Sequence, residues 1–210
     1  MMEALDRVLE ALDVVERYED YLFRRAWGRS LIAIGTLFPL GMVIITNADI
    51  LAYLTGIDAN LVRLVAYAMT IVLCWGLVSY TFFGAWRTIK KESDRREGGS
   101  LHGILIALVW FASFSLTSLA PEQLTLVSLL WASSLACFLS FVILRLTHSH
   151  DPERVILYLA ALLGIASILV LAIEDVTISG AAAVLAFSIC FIVAGIIMHR
   201  QAAEALRVRH

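Results

Sequence analysis

The chain has 210 residues, of which 60% are hydrophobic and only 16% are charged, with a formal net charge of −2 and a mean hydropathy of +0.85. Soluble domains are about 45–50% apolar, so this composition excludes an ordinary soluble domain and indicates an integral membrane protein. The near-neutral charge, without a basic face of useful size, also excludes nucleic acid as a partner.

The N-terminal segment, residues 1–28, precedes the first long apolar run and contains no Gly or Pro from Met2 to Trp27. Apolar residues recur there at helical spacing, which predicts an amphipathic cytoplasmic helix approaching about 40 Å in length, with Gly28 loosening its end. The apolar stripe of this predicted helix consists of Leu5, Val8, Leu9, Leu12, Val15 and Leu22.

The polar face of the same segment is acidic. Seven Asp and Glu residues against two Arg give residues 1–22 a net charge of −5. This sign is wrong for a helix that lies on anionic lipid, so we expect the apolar stripe to dock on protein. Three partners remain open, namely the same helix of a second copy, the basic loop from Lys90 to Arg96, or a separate subunit.

The stretch "RYEDYLFRRAWGRS", residues 17–30, joins this segment to the first apolar run. Aromatic rings and arginines at such a junction are typical of the headgroup region, where an apolar body meets a polar tip. The expected membrane-interface anchors are Tyr18, Tyr21, Trp27, Arg24, Arg25 and Arg29. Some thirty residues rich in charge precede the apolar run, which argues against a cleaved signal peptide and favours a retained helix, kinked at Pro39.

Six apolar runs are long enough to cross about 30 Å of hydrocarbon, and the absence of water in lipid requires them to be helices. They are Ser30 to Thr46, Leu61 to Trp86, Leu101 to Ala120, Gln123 to Leu146, Arg154 to Ile173 and Ser179 to His199. The sequence therefore predicts an all-α polytopic membrane protein with six transmembrane helices arranged as three hairpins. The transmembrane domain covers residues 29–200, and a short cytoplasmic tail covers 201–210. The connection over residues 47–60 is apolar enough to lie along the outer interface.

The basic residues predict the orientation of these spans. Fifteen of the sixteen Lys and Arg fall on one side of the predicted topology, and only Arg63 falls on the other. The opposite side carries Asp49, Asp58, Glu122, Glu174 and Asp175. By the positive-inside rule, both termini are expected in the cytoplasm, in a multi-pass protein of the cell membrane.

Signatures of catalysis and ion coupling are missing from the sequence. There is no HExxH, GxSxG or GxxxxGK[ST] motif, and no Asp, Glu, Lys, Arg or His lies near the middle of a predicted span. We therefore expect neither an enzyme nor a proton-driven pump. Cys74, Cys137 and Cys190 each fall inside a predicted span and are expected to be inert thiols.

The histidines offer one possible metal or haem site, formed by His102, His148 and His199. However, the motif "HSHD" is followed by Pro152 and Glu153, and Asp151 with these two residues makes an ordinary helix start. We expect no cofactor and no metal.

Two functions fit these predictions. The protein is expected to be a non-catalytic membrane subunit or scaffold that docks a protein partner, or a second copy, through its N-terminal helix. The alternative is a small solute-binding or translocating subunit of a transporter. A cavity lined by serines, threonines, Tyr80 and Trp110 would favour transport, whereas a filled core would favour the scaffold.

Overall fold

A computed structural model describes residues 2–90, 99–117, 121, 124–146 and 154–205, with side chains at Val14, Val15 and Tyr18 and over 21–81, 104–117, 121, 124, 126–146 and 154–204. These ranges hold seven helices and no strand. The helices are α1 (Met2–Thr46), α2 (Ala48–Thr55), α3 (Ala59–Lys90), α4 (Gly99–Thr117), α5 (Thr125–Leu146), α6 (Arg154–Leu171) and α7 (Val176–Ala205).

Five of the described helices contain a segment that is long and apolar enough to cross a membrane. These segments are Tyr21–Thr46, Ala59–Thr81, Leu126–Leu146, Arg154–Leu171 and Val176–Glu204. In α4 the apolar part whose side chains are described, Ile104–Thr117, is shorter. The all-helical class is therefore confirmed, with five candidate spans in a chain compatible with a multi-pass membrane protein, while the sixth span stays a prediction.

The first helix lies between α7 and α3 and is antiparallel to both. Along α7, Gly28 abuts Gly195, and the ring of Phe38 lies 4.9 Å from that of Phe187. Along α3, Ser30 bonds Thr81 near one end of the pair, and Gly41 abuts Thr70 towards the other end. Because its apolar part contacts both helices, α1 is the central member of the group formed by α3, α1 and α7.

The remaining helices extend from α7. Helix α6 packs on α7, α5 packs on both α6 and α7, and α4 packs on α5. Within the described residues α3 packs only on α1 and α2, so α3 and α4, which follow each other in the chain, do not touch. Across the bundle, the order of the helices is therefore α3, α1 and α7, then the pair α6 and α5, and finally α4.

The buried core lies where α5, α6 and α7 meet. Its most buried large side chains include Leu130, Leu159, Leu163, Phe187 and Phe191. Lipid tails are as apolar as these side chains, so close packing rather than exclusion of water holds such a core together. A serine or a glycine lies at the contacts between the long helices, where a small side chain lets the backbones approach.

The structure corrects the expected end of the N-terminal helix. Helix α1 continues through Gly28 and through Pro39 as a single helix of 45 residues, about 67 Å long. Gly28 does not loosen it. A Cβ atom at this position would lie 2.8 Å from the carbonyl oxygen of Gly195, so the glycine serves helix packing instead.

The connection between α1 and α3 contains the short helix α2. Gly56, with φ of 71°, ends α2 in the left-handed conformation that favours glycine, and its N–H donates to the carbonyl of Ala52 at 2.8 Å. Asp58 then caps α3, because its Oδ1 accepts from the N–H groups of Asn60 and Leu61 at 2.9 and 3.1 Å. Asp175 caps α7 in the same way through Thr177 and Ile178, both at 2.9 Å.

Candidate functional site at the basic end of α1 and α7

The helix directions bring the charged residues to two opposite ends of the bundle. Helix α5 runs parallel to α7, because Leu126 packs at Gly180, near the start of both helices. Helix α6 is antiparallel to α7, because Ser179 donates to the carbonyl of Val170. The end at which α7 finishes, which we call the basic end, carries Arg24, Arg25, Arg29, Arg145, Arg154 and Arg200. The other end carries Asp49, Asp58, Arg63, Glu174 and Asp175.

At the basic end, α1 is longer than its neighbour α7. Gly28 lies opposite residues 195–199, so an antiparallel pair places Ala205, the last described residue of α7, opposite about residue 20. The first eighteen residues of α1, about 27 Å of helix, therefore extend past the described end of α7.

The predicted docking stripe falls mostly on this extension. The side chains of Leu5, Val8, Leu9 and Leu12 lie outside the described residues. Val15 is 40% exposed, its neighbour Val14 is 59% exposed, and Leu22, at the level of α7, is half-buried. The described part of the extension thus presents apolar side chains that α7 does not cover.

The predicted interface anchors lie where the extension meets the bundle. The rings of Tyr18 and Tyr21 are stacked with centroids 6.1 Å apart, and Arg25 donates from Nη1 to the hydroxyl of Tyr21 at 2.6 Å. The guanidinium of Arg25 also lies over the Tyr21 ring, 5.5 Å from its centroid. Trp27 instead packs against the buried core, so its ring contributes to helix packing and not only to the expected anchoring at the headgroups.

The remaining predicted anchors, Arg24 and Arg29, differ in burial. Arg24 is half-buried, whereas Arg29 is exposed one helical turn beyond Arg25. Sequence spacing alone predicts that Arg25 and Arg29 share a helix face, because residues four apart are neighbours on a helix. The structure adds that this face borders α7, since Gly28 abuts the backbone of His199.

The crossing of α1 and α7 is very close, and sequence reasoning missed it. A Cβ atom at Gly195 would lie 2.6 Å from the carbonyl oxygen of Gly28, and one at Gly35 would lie 2.9 Å from Cβ of Phe191. Ser188 donates to the carbonyl of Gly35 at 2.6 Å. Small residues in this arrangement are the usual device for joining membrane helices. The seven-residue spacing of Gly28 and Gly35 was the available signal.

Three other helix contacts also contain a hydrogen bond from a polar residue inside or beside a span. Ser30 bonds Thr81 at 2.7 Å between α1 and α3, and Ser134 donates to the Ala160 carbonyl at 2.7 Å between α5 and α6. Trp110 donates to Ser140 at 3.2 Å between α4 and α5. The mild polar residues of the spans therefore join helices, as their hydrogen-bonding capacity predicts.

Five aromatic rings fill the centre of the bundle. Phe38, Phe187, Phe191, Trp110 and Phe114 follow one another with centroid distances of 4.9, 4.3, 6.4 and 5.7 Å. Trp110 is thus part of the packed centre. Tyr80, the other aromatic residue expected to line a cavity, is 78% exposed on α3, and the described parts of α3 and α4 do not contact each other. The structure therefore does not bring Tyr80 and Trp110 together.

Metal-ligating residues are scattered. Across the described residues, no three His, Cys, Asp or Glu side chains lie close enough together to hold a metal ion. The side chains of His102 and His148 lie outside the described residues, and His199 is exposed. Cys74, Cys137 and Cys190 are free thiols on three different helices.

Comparison of the chain with protein-family models, with curated proteins and with solved structures gives no match. The inference of function therefore rests on the sequence and the geometry of the chain itself.

Proposed function

We propose that the protein is a non-catalytic multi-pass membrane subunit or scaffold that docks a protein partner through the N-terminal part of α1. The observation that carries the proposal is the length of α1. This helix packs between α3 and α7, and it also extends about 27 Å past the described end of α7. Most of the stability of a helix in a protein comes from packing of its apolar face, so an extension of this kind is expected to need tertiary or partner contacts to persist.

The chemistry of the extension supports protein rather than lipid as its partner. Residues 1–22 carry a net charge of −5, which anionic headgroups repel. Val14 and Val15 are exposed on the described part of the helix, and covering such side chains would contribute to binding. A second copy of the chain, its own basic loop from Lys90 to Arg96 and a separate subunit each provide a possible surface.

Deleting residues 1–16 tests the proposal. We expect the deletion to lower the oligomer mass, remove a co-purifying protein or lower the melting temperature, according to which of the three surfaces the helix uses. Light scattering, mass spectrometry and thermal unfolding in detergent measure these outcomes. If all three measurements match those of the intact chain, the docking proposal is wrong.

A matched pair of double variants separates docking from a general effect on the helix. L9E/L12E changes the predicted apolar stripe, whereas E10Q/D13N changes the predicted polar face and leaves the stripe intact. We expect the first variant to reproduce the deletion and the second to behave as the intact chain. Equal effects of the two variants would contradict a docking stripe.

The proposed topology is six transmembrane helices in three hairpins, with both termini in the cytoplasm of a cell-membrane protein. The separation of arginines at the basic end from Asp49, Asp58, Glu174 and Asp175 at the other supports this orientation. Helix α4, with 19 residues, is the proposed third span.

Single reactive cysteines test the orientation in a variant that lacks the three native ones. Cysteines at Asn47, Gln123 and Thr177 are expected to react with an impermeant maleimide added to intact cells, and one at Ser93 only after permeabilisation. The reverse pattern would show an inverted protein.

The alternative, a solute-handling transporter subunit, has weaker support. Its expected cavity would include Tyr80 and Trp110, which lie on helices that do not contact each other within the described residues. Trp110 is also packed against the rings of Phe114 and Phe191. A filled centre of this kind supports the scaffold.

A further inference from the structure

Two arginines at the crossing of α1 and α7 have no acidic partner among the described residues. Arg25 and Arg29 are one helical turn apart, and within the described part of the chain neither guanidinium forms an ion pair. The buried Nε of Arg25 has no hydrogen-bond partner either. Like charges at this spacing repel each other by roughly 0.2–0.5 kcal/mol, so an anion between them would relieve the repulsion.

The position of Arg25 is fixed by its neighbours. Tyr21 accepts a hydrogen bond from its Nη1 at 2.6 Å, and the guanidinium lies over the tyrosine ring. An arginine held in this way loses less rotational freedom on binding than a free one. The guanidinium is therefore prepared to receive a planar or tetrahedral anion on its remaining donors.

The opposite helix adds a third nitrogen-bearing group at the same level. Gly28 lies between Arg25 and Arg29, and a Cβ atom there would be 3.1 Å from the backbone nitrogen of His199. The imidazole of His199 is exposed at this crossing. We call Arg25, Arg29 and His199 the basic groove.

An apolar surface continues from the basic groove into the membrane part of α1. Thr36, Leu40 and Val43 follow Arg29 at spacings of seven, eleven and fourteen residues, which places them on the same helix face, and all three are exposed. A cationic group at the head of a lipid-facing apolar stripe matches a phospholipid, whose phosphate lies at headgroup depth and whose acyl chains run along the helix.

We infer that the basic groove binds the phosphate of one anionic phospholipid, with Arg25 and Arg29 donating to its oxygens and the acyl chains lying along the exposed stripe of α1. Arginine suits this role because its fork of N–H donors matches phosphate oxygens, and basic pockets between transmembrane helices are known to hold anionic headgroups. This site is distinct from the docking extension, which ends before Arg25.

Native mass spectrometry of the delipidated full-length protein in a neutral detergent tests the inference, with phosphatidylglycerol, phosphatidylcholine and inorganic phosphate as probes. We expect one phosphatidylglycerol to bind at least about tenfold more tightly than phosphatidylcholine. We expect R25Q/R29Q to remove this preference and R25K/R29K to retain part of it, because lysine keeps the charge but loses the fork. R154Q is the matched control, since Arg154 is an exposed arginine at the same end of the bundle.

The outcomes separate the inference from its alternatives. Equal binding of phosphatidylglycerol to R25Q/R29Q and the intact chain overturns it, as does an equal loss in R154Q. Displacement of the lipid by millimolar phosphate would assign the groove to free phosphate and overturn the lipid source. Melting curves without lipid show whether R25Q/R29Q is folded, and R25K/R29K serves as the test if it is not. Deletion of residues 1–16 is expected to leave lipid binding unchanged, so failure of the docking proposal would not be confused with failure of this one.

Discussion

Helices α7 and α3 are both long and apolar, yet their surroundings differ. In the most apolar part of α7, 33% of residues are buried, whereas in α3 only 6% are. Helix α7 packs on α1, α6 and α5, while α3 packs on α1 and the short α2. Hydrophobicity therefore does not decide which helix is central in a membrane protein, because lipid solvates apolar side chains as well as the protein does.

The glycines of the two helices show what does decide it. Gly195 of α7 lies against the backbone of α1, and its absent side chain allows the close crossing with Gly28. Gly76 of α3 has no atom within 4 Å of the position that a Cβ would occupy. The same residue type is thus a packing device in α7 and an exposed position in α3.

The largest expected effect comes from filling the close crossing. We predict that G195L destabilises the protein by about 3 kcal/mol or more, because its side chain would meet Ile32 and the backbone of Gly28. G76L, the matched control on α3, is expected to change stability by less than about 0.5 kcal/mol. Unfolding in detergent measures both. A similar loss in the two variants would show that the glycine contact does not distinguish the helices.

A smaller effect is expected where α1 meets the edge helix. In G41V the new side chain would meet Cγ2 of Thr70, and α3 has few other neighbours to resist a shift, so we predict a loss of about 1–2 kcal/mol. The shift itself is measurable as reduced disulfide formation between cysteines that replace Ser30 and Thr81, whose hydroxyls are 2.7 Å apart. V72L, a change at an exposed position of α3, is the control. Undiminished cross-linking in G41V would contradict the predicted shift.

The smallest effect concerns the ion pair that ties α2 to α3. Arg63 donates to Asp49 at 2.6 Å, but the two side chains are 41% and 71% exposed. Solvent screens such a pair, so we predict that D49N costs less than about 1 kcal/mol and that the difference disappears in high salt. Melting temperatures of the two proteins at low and high salt measure this. A larger loss that persists in high salt would show that the pair is shielded from water.

The sequence by itself determined the helical class and the positions of most of the apolar helices. The predicted fourth and fifth spans, Gln123 to Leu146 and Arg154 to Ile173, correspond closely to α5 (Thr125–Leu146) and α6 (Arg154–Leu171). This agreement has a local cause, since a segment in lipid must satisfy its own backbone hydrogen bonds and must match the thickness of the hydrocarbon. In the sequence, Asp58 and Asp175 are interpreted only as charged residues outside the spans, although in the structure both cap helices.

Only the tertiary structure decided which helices meet. The pairing of α1 with α7 joins segments more than 150 residues apart, for example through Ser188 and Gly35. It also assigned a different role to Gly28. The sequence suggests that this glycine loosens the end of a helix, whereas in the structure it lies inside α1 at the contact with α7. Helix association in lipid depends on the fit of two surfaces, and a hydropathy pattern records the composition of each helix without recording the shape of its partner.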